Sequence, residues 1–238
     1  MSAELLDVAI FLVCSFFIMS FARYFGKSGL MAYNSVVVII SNIQVLKLTK
    51  YSFITDSPIA LGTIVFSTTF AIDNILTEFY GADFARKNIK LGFILYLFFT
   101  ICLQLTILYP VATIPNYFNL HDEIKILFSP SVIIFISSVL SYIIGQHLHV
   151  CIFSFFKEMA QGKFLGVRNF FSMAISAFID NLLFSFFAWK LFSPQPVSWS
   201  VLWDTYIFTT YLLRLLIAVL CVPLVELTKL LIKKNKHV

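Results

Sequence analysis

Asp73 and Asp180 each sit within about 20 mostly apolar residues, PIALGTIVFSTTFAIDNILTE (58–78) and NFFSMAISAFIDNLLFSFF (169–187). A carboxylate deep in a bilayer costs about 2.5–3.5 kcal/mol on insertion scales. Such a group faces a partner or a watery cavity, and it is a candidate for function. Around Asp180 the spacing is regular. Asn169, Ser172, Ser176 and Asp180 fall on one helix face less than about 90° wide. That stripe lines either a cavity or a polar helix–helix interface. In 58–78, Asn74 and Glu78 share a face, and Asp73 lies about 100° round from Asn74. Glu78 is near Tyr80 and Arg86 in sequence and also reads as an interfacial ion-pair residue. Upstream, Asn34 and Ser41 share a face, as do Ser35 and Asn42; Asn42 and Gln44 offer paired donors and acceptors. Gln146 and His149 are three apart and share a face. His147 and His149 point opposite ways and make a poor metal chelate. Tyr211 and Arg214 are also three apart. An intramembrane Arg must pair or hydrate, and Asp73 and Asp180 are its candidate partners, either as a structural lock or as a site that uses both charges.

Holding such groups in place requires helices that cross a membrane. The chain is 60% hydrophobic and 12% charged, with a mean hydropathy of +0.92, whereas soluble domains carry about 25% charged residues. Apolar segments recur at 5–22, 30–46, 58–79, 91–109, 129–155, 169–192 and 203–232. The expectation is an all-α polytopic membrane protein of seven spans, because the alternating strands of an outer-membrane barrel are absent. Glu4 and Asp7 lead the first segment, and Arg23 and Lys27 follow it. It therefore reads as a retained span with an outside N-terminus. With that orientation twelve Lys/Arg fall inside and four outside (Lys47, Lys50, Lys125 and Lys190), with Arg214 inside a span. The net charge of +5 then reflects membrane orientation, and no clustered basic groove suggests nucleic acid. Cys14, Cys102, Cys151 and Cys221 lie in apolar segments without a CxxC pair and read as core residues.

Five strings, taken in order, carry a resemblance. NILTEFYGADFAR (74–86) resembles the D-I-x-x-E-x-Y-G-x-x-x-A-R signature of the vitamin uptake transporter family, whose best-known members are queuosine precursor transporters. SNIQVLK (41–47) is similar to its N-x-x-x-x-K helix end, and IGQHLHVCIFSFFK (144–157) to its G-Q-x-x-D helix. RNFFSMAISAFIDNLLF (168–184) resembles R-N-x-x-S-T-x-x-S-Q-x-x-D-T-x-x-F. YLLRLLIAVLCVP (211–223) resembles the closing helix with Y-x-x-K and a later Pro. The resemblance covers about residues 30–232. Departures stand at Asn74, where the family has Asp, and at His149, Ala177, Asn181 and Arg214, where it has Asp, Gln, Thr and Lys. Either Asp73 has taken over the helix carboxylate or the Asn74 amide does that work.

The resemblance implies a six-helix core (29–238, ending in a basic cytoplasmic tail) similar to the substrate-binding subunits of energy-coupling-factor transporters, preceded by an extra N-terminal transmembrane helix (1–28). It implies an importer of a queuosine precursor, a 7-deazaguanine such as queuine, preQ0 or preQ1, in a bacterial inner membrane. A guanine-type edge offers N1–H and an amine side by side, which a carboxylate accepts as a pair. The candidate lining is Asn42, Asp73, Asn74, Gln146, His149, Asn169, Ser172, Ser176, Asp180 and Arg214. The partners expected are the small-molecule base and the lipid bilayer. The absence of HExxH, GxSxG, metal-cluster and nucleotide-binding motifs points to no catalytic step, no cofactor and no metal. The rivals are a binding subunit driven by a separate ATPase and an intramembrane enzyme.

Overall fold

The computed structural model describes residues 3–51, 55–111, 121–128 and 132–235. The first two residues, 52–54, half of the connection expected at 110–129 and the end of the basic tail lie outside the described residues. In chain order the elements are α1 (Ala3–Gln44), β1 (Leu48–Tyr51), β2 (Thr55–Ala60), α2 (Thr63–Tyr80), α3 (Ala82–Leu108), α4 (His121–Phe128), α5 (Val132–Met159), α6 (Leu165–Phe186), α7 (Trp199–Val201) and α8 (Thr209–Asn235). A π-helical turn, Phe187–Leu191, extends α6, and another, Leu202–Phe208, joins α7 to α8.

The protein is mostly helical, with one departure from the all-α expectation. Residues 48–60 form an antiparallel two-stranded hairpin, with Leu48 opposite Ala60. The apolar segment expected to be helical from 58 therefore starts its helix only at Thr63. Gly62 allows the turn, with φ +89, a left-handed conformation that suits a residue without Cβ.

Five helical stretches among the described residues are long and apolar enough to cross a membrane: Ala3–Gln44, Ala82–Leu108, Ile134–Met159, Leu165–Leu191 and Trp199–Ile232. Seven were expected. The shorter α2 is not among the five, and the two N-terminal segments are joined into one. That long helix is broken at Gly26, where φ is 56 and ψ −135. The rings of Phe21 and Tyr33 lie 6.2 Å apart, although twelve residues of straight helix would separate them by about 18 Å. A Cβ on Gly29 would stand 2.7 Å from the Phe21 carbonyl oxygen. The chain therefore doubles back at Gly26, and the two halves of α1 pack side by side.

α2 is the hub. Phe70, Ile72, Ile75 and Leu76 on it are completely buried, and α1, α3, α5, α6 and α8 all pack against it. On the periphery Leu12, Phe16, Phe98 and Leu216 stay exposed, a surface suited to hydrocarbon. The stretch 81–90, between the apolar segments 58–79 and 91–109, is the start of α3. Gly81 alone (φ +90) makes the break.

Two glycines provide a test of this packing. Gly62 and Gly162 both have positive φ, but a Cβ on Gly62 would meet the Ser41 carbonyl oxygen at 2.6 Å, whereas one on Gly162 would meet nothing within 4 Å. Alanine pays about 1–2 kcal/mol for the left-handed region at either site. Gly62→Ala should lose at least about 1 kcal/mol more than Gly162→Ala. Denaturant unfolding in detergent measures both; equal losses would contradict the close α1–α2 approach.

Candidate functional site

Intramembrane polar side chains need partners, and the structure shows where α6 finds them. Asn74 Nδ2 on α2 donates to Asn169 Oδ1 at 2.9 Å and to Ser172 Oγ at 3.0 Å. Ser176 Oγ lies 2.9 Å from His149 Nδ1 on α5, and His149 Nε2 lies 3.0 Å from the Phe70 carbonyl oxygen. A carbonyl only accepts, so Nε2 carries the hydrogen in that bond. Asp180 Oδ2 accepts from Arg214 Nη1 on α8. The four-residue stripe is therefore a zipper that joins α6 to α2, α5 and α8 in turn. Gln146 adds a tie from α5 to α2, donating to Thr69 Oγ1 at 2.7 Å.

The Asp180 end of the zipper opens onto space. A cavity of about 90 Å³ is lined there by Asp180, Arg214, Asn42, Ser41, Thr63, Ser138 and Ser141, with Phe66, Tyr96, Tyr142 and Phe184 among its walls. That is room for several waters. Of the candidate residues, Asn42, Asp180 and Arg214 border this cavity. Asp73, Asn74, Gln146, His149, Asn169, Ser172 and Ser176 do not; all seven are buried among their bonded neighbours.

The charged pair is built for a dry place. Asp180 is 2% and Arg214 9% exposed. The Arg214 guanidinium also lies 5.6 Å from the Phe66 ring centroid, a cation–π contact that suits a desolvated cation. Among the described residues Asp180 Oδ1 and Arg214 Nε have no hydrogen-bond partner. Gly145, which was not singled out as a site residue, makes the pair possible. A Cβ there would stand 2.9 Å from Asp180 Oδ1. The glycine of the G-Q string (145–146) was the available signal.

The opposite end of α6 is closed by charge. Arg168 grips Glu78 through both guanidinium nitrogens, at 3.0 and 3.1 Å, and Lys157 adds a contact to Glu78 at 3.4 Å. Arg86, the expected neighbour of Glu78, pairs with Asp83 instead at 2.9 Å. Three helices, α2, α5 and α6, are thus tied at the end remote from the cavity.

Removing one partner of a buried ion pair strands the other, at a cost of about 3–5 kcal/mol. Arg214→Leu should show a loss of that order, and Arg214→Leu with Asp180→Leu should recover at least about 1 kcal/mol of it. Additive losses in a melting-based double-mutant cycle would mean the pair is not coupled.

With this geometry established, the comparisons are specific. Residues 60–228 match the family described as "Putative vitamin uptake transporter". Over 221 residues, 92% of each chain, the sequence is 27% identical to the "Probable queuosine precursor transporter" of Bacillus subtilis (strain 168). No solved structure gives a significant match.

Proposed function

This chain belongs to the vitamin uptake transporter family, and on that premise we propose that it imports a 7-deazaguanine-type queuosine precursor across a bacterial inner membrane. In this proposal α1 contributes two spans around Gly26. With α2, α3, α5, α6 and α8 that makes seven, with the N-terminus outside and the tail cytoplasmic. The cavity end is then the outer end, and the Glu78–Arg168–Lys157 cluster is the cytoplasmic closure.

The observation that carries the proposal is Asp180. Its carboxylate borders the cavity, anchored through Oδ2 by Arg214, while Oδ1 has no partner. A guanine-type edge brings N1–H and an exocyclic amine, the donors a fixed carboxylate accepts. Phe66, Tyr96 and Phe184 give flat walls for a heterocycle, and the Asn42 amide is the proposed partner of a ring carbonyl. The cavity of about 90 Å³ is below the about 300–1,000 Å³ of ordinary ligand sites. Helices must therefore part as the base enters, which is what a carrier does. Asn74, Asn169, Ser172, Ser176, Gln146 and His149 serve this site by holding α2, α5 and α6 in register.

Uptake of labelled queuine into liposomes containing the purified chain alone tests this directly. Asp180→Asn replaces an acceptor oxygen with an amine that faces the ligand's own donors. A charge-assisted bond is worth about 1.5–3 kcal/mol, so uptake should fall at least about tenfold while insertion is preserved. Undiminished uptake would remove Asp180 from the site. Transport that appears only when an ATPase is added would make the chain a binding subunit.

Orientation has its own test. A cysteine at Ser2 should react with an impermeant reagent in whole cells, and one at Asn235 should not. The reverse pattern would overturn the seven-span topology.

A further inference from the structure

Asp73 stands apart from the cavity and from the charges that surround it. It is completely buried on α2, and its hydrogen bond among the described residues comes from Asn88 Nδ2 on α3 to Oδ1, at 2.8 Å. Among the described residues Asp73 Oδ2 has no hydrogen-bond partner, and neither has Asn88 Oδ1. Of the cations on the helices around it, Lys87 and Lys90 of α3 are exposed, Arg86 of α3 pairs with Asp83, and Lys27 of α1 lies over the Phe84 ring. Arg168 of α6 and Lys157 of α5 hold Glu78, and Arg214 of α8 holds Asp180. His149 of α5 is engaged by Ser176 and Phe70. From α1, Tyr33 bonds Thr68 at 3.3 Å. Among the described residues Tyr142 of α5 lies within electrostatic reach of Asp73; it is a neutral phenol whose hydroxyl donates to the Ile89 carbonyl at 3.4 Å.

A carboxylate ion in this place has given up its water and gained no counter-charge. One amide hydrogen bond does not offset that loss, and a group so placed takes up a proton instead. The hydrogen-bond inventory points the same way. An ionised carboxylate only accepts, whereas the protonated acid also donates. The Asp73–Asn88 pair has two idle acceptor oxygens and lacks a donor. A proton on Oδ2 is that donor, and acid and amide are then complementary.

The neighbours of Asp73 link it to the moving parts. The next residue, Asn74, fastens α2 to α6, and Glu78 one turn further on closes the remote end. Any separation of α2 from α6 at that end brings water toward Asp73 and makes its ionised form affordable.

Resting on the carrier proposal above, we propose that Asp73 is the proton-binding site of a substrate–proton symport. It is neutral in the conformation seen here and ionised once the Glu78 end opens. One proton enters from outside with the base, is held on Oδ2 and passes to cytoplasmic water; no other bond forms or breaks.

The test joins an infrared measurement to a flux measurement on the purified full chain in liposomes. At neutral pH the wild type should show the carbonyl stretch of a protonated carboxylic acid in a dry site, and Asp73→Asn should lose it. In liposomes with the potential clamped at zero, a two-unit pH gradient (acid outside) should drive queuine accumulation at least about tenfold, toward a ceiling of about 100-fold for one proton, each unit being a factor of ten. Asp73→Asn should still exchange labelled for unlabelled queuine at equal pH but should show no accumulation above about onefold. Gradient-driven accumulation in Asp73→Asn, accumulation that follows sodium instead of pH, or an unchanged infrared band in the variant would each overturn the assignment. An infrared band that depends on Asp73 in a protein that moves no queuine would support the protonation site and overturn the carrier reading beneath it.

Discussion

A carboxylate and a guanidinium facing each other in hydrocarbon cannot be separated cheaply, and the Asp180–Arg214 pair organises much of this molecule. It fixes α6 to α8. It demands a glycine on α5, because a side chain at 145 would occupy the place of the carboxylate. It places a partnerless acceptor oxygen on the residue that borders the cavity. The pair is weak evidence for stability as such, since buried ion pairs roughly break even against apolar packing. In the proposed function its cost supports a fixed charge pattern to which a polar ligand responds.

The same constraint shapes the rest of α6. Every polar group on the stripe meets a neighbouring helix, Asn169 and Ser172 on α2, Ser176 on α5 and Asp180 on α8, so the stripe behaves as a zipper with an open end and a closed end. At the closed end Arg168 and Lys157 converge on Glu78; at the open end serines, Asn42 and aromatic rings surround a small void. In the proposed carrier, a molecule closed at one side and open to a cavity at the other corresponds to one of the two states that alternating access requires. On that proposal the contacts that would break to reach the second state are hydrogen bonds and ion pairs between α2, α5 and α6, which water can replace.

Much of this was legible in the sequence. Hydropathy revealed the membrane class, and the spacing of Asn169, Ser172, Ser176 and Asp180 revealed one polar face, because helical periodicity is local. Partner choice was not legible. Periodicity says that Asn74 and Ser172 are inward-facing, but only packing says that they meet each other rather than a ligand. Asp73 and Asp180 both read as candidate ligand acceptors for that reason, although Asp180 borders the cavity and Asp73 is sealed against Asn88. His149 has the same explanation, since a ring between Ser176 and Phe70 ties helices together. Gly26 and the 48–60 hairpin escaped because single-residue breaks and short strands leave little trace in an apolar run.

The central claim is that the Asp180 cavity recognises a guanine-type edge. Thermal unfolding of the purified protein with 7-deazaguanine and with 7-deazaadenine tests it most directly. A ligand at about 100 Kd raises stability by about 2.7 kcal/mol. 7-Deazaguanine, with adjacent N1–H and amine donors, should raise the melting temperature, and 7-deazaadenine, which lacks the N1–H, should not. Equal stabilisation by both bases, or by neither, would contradict the account.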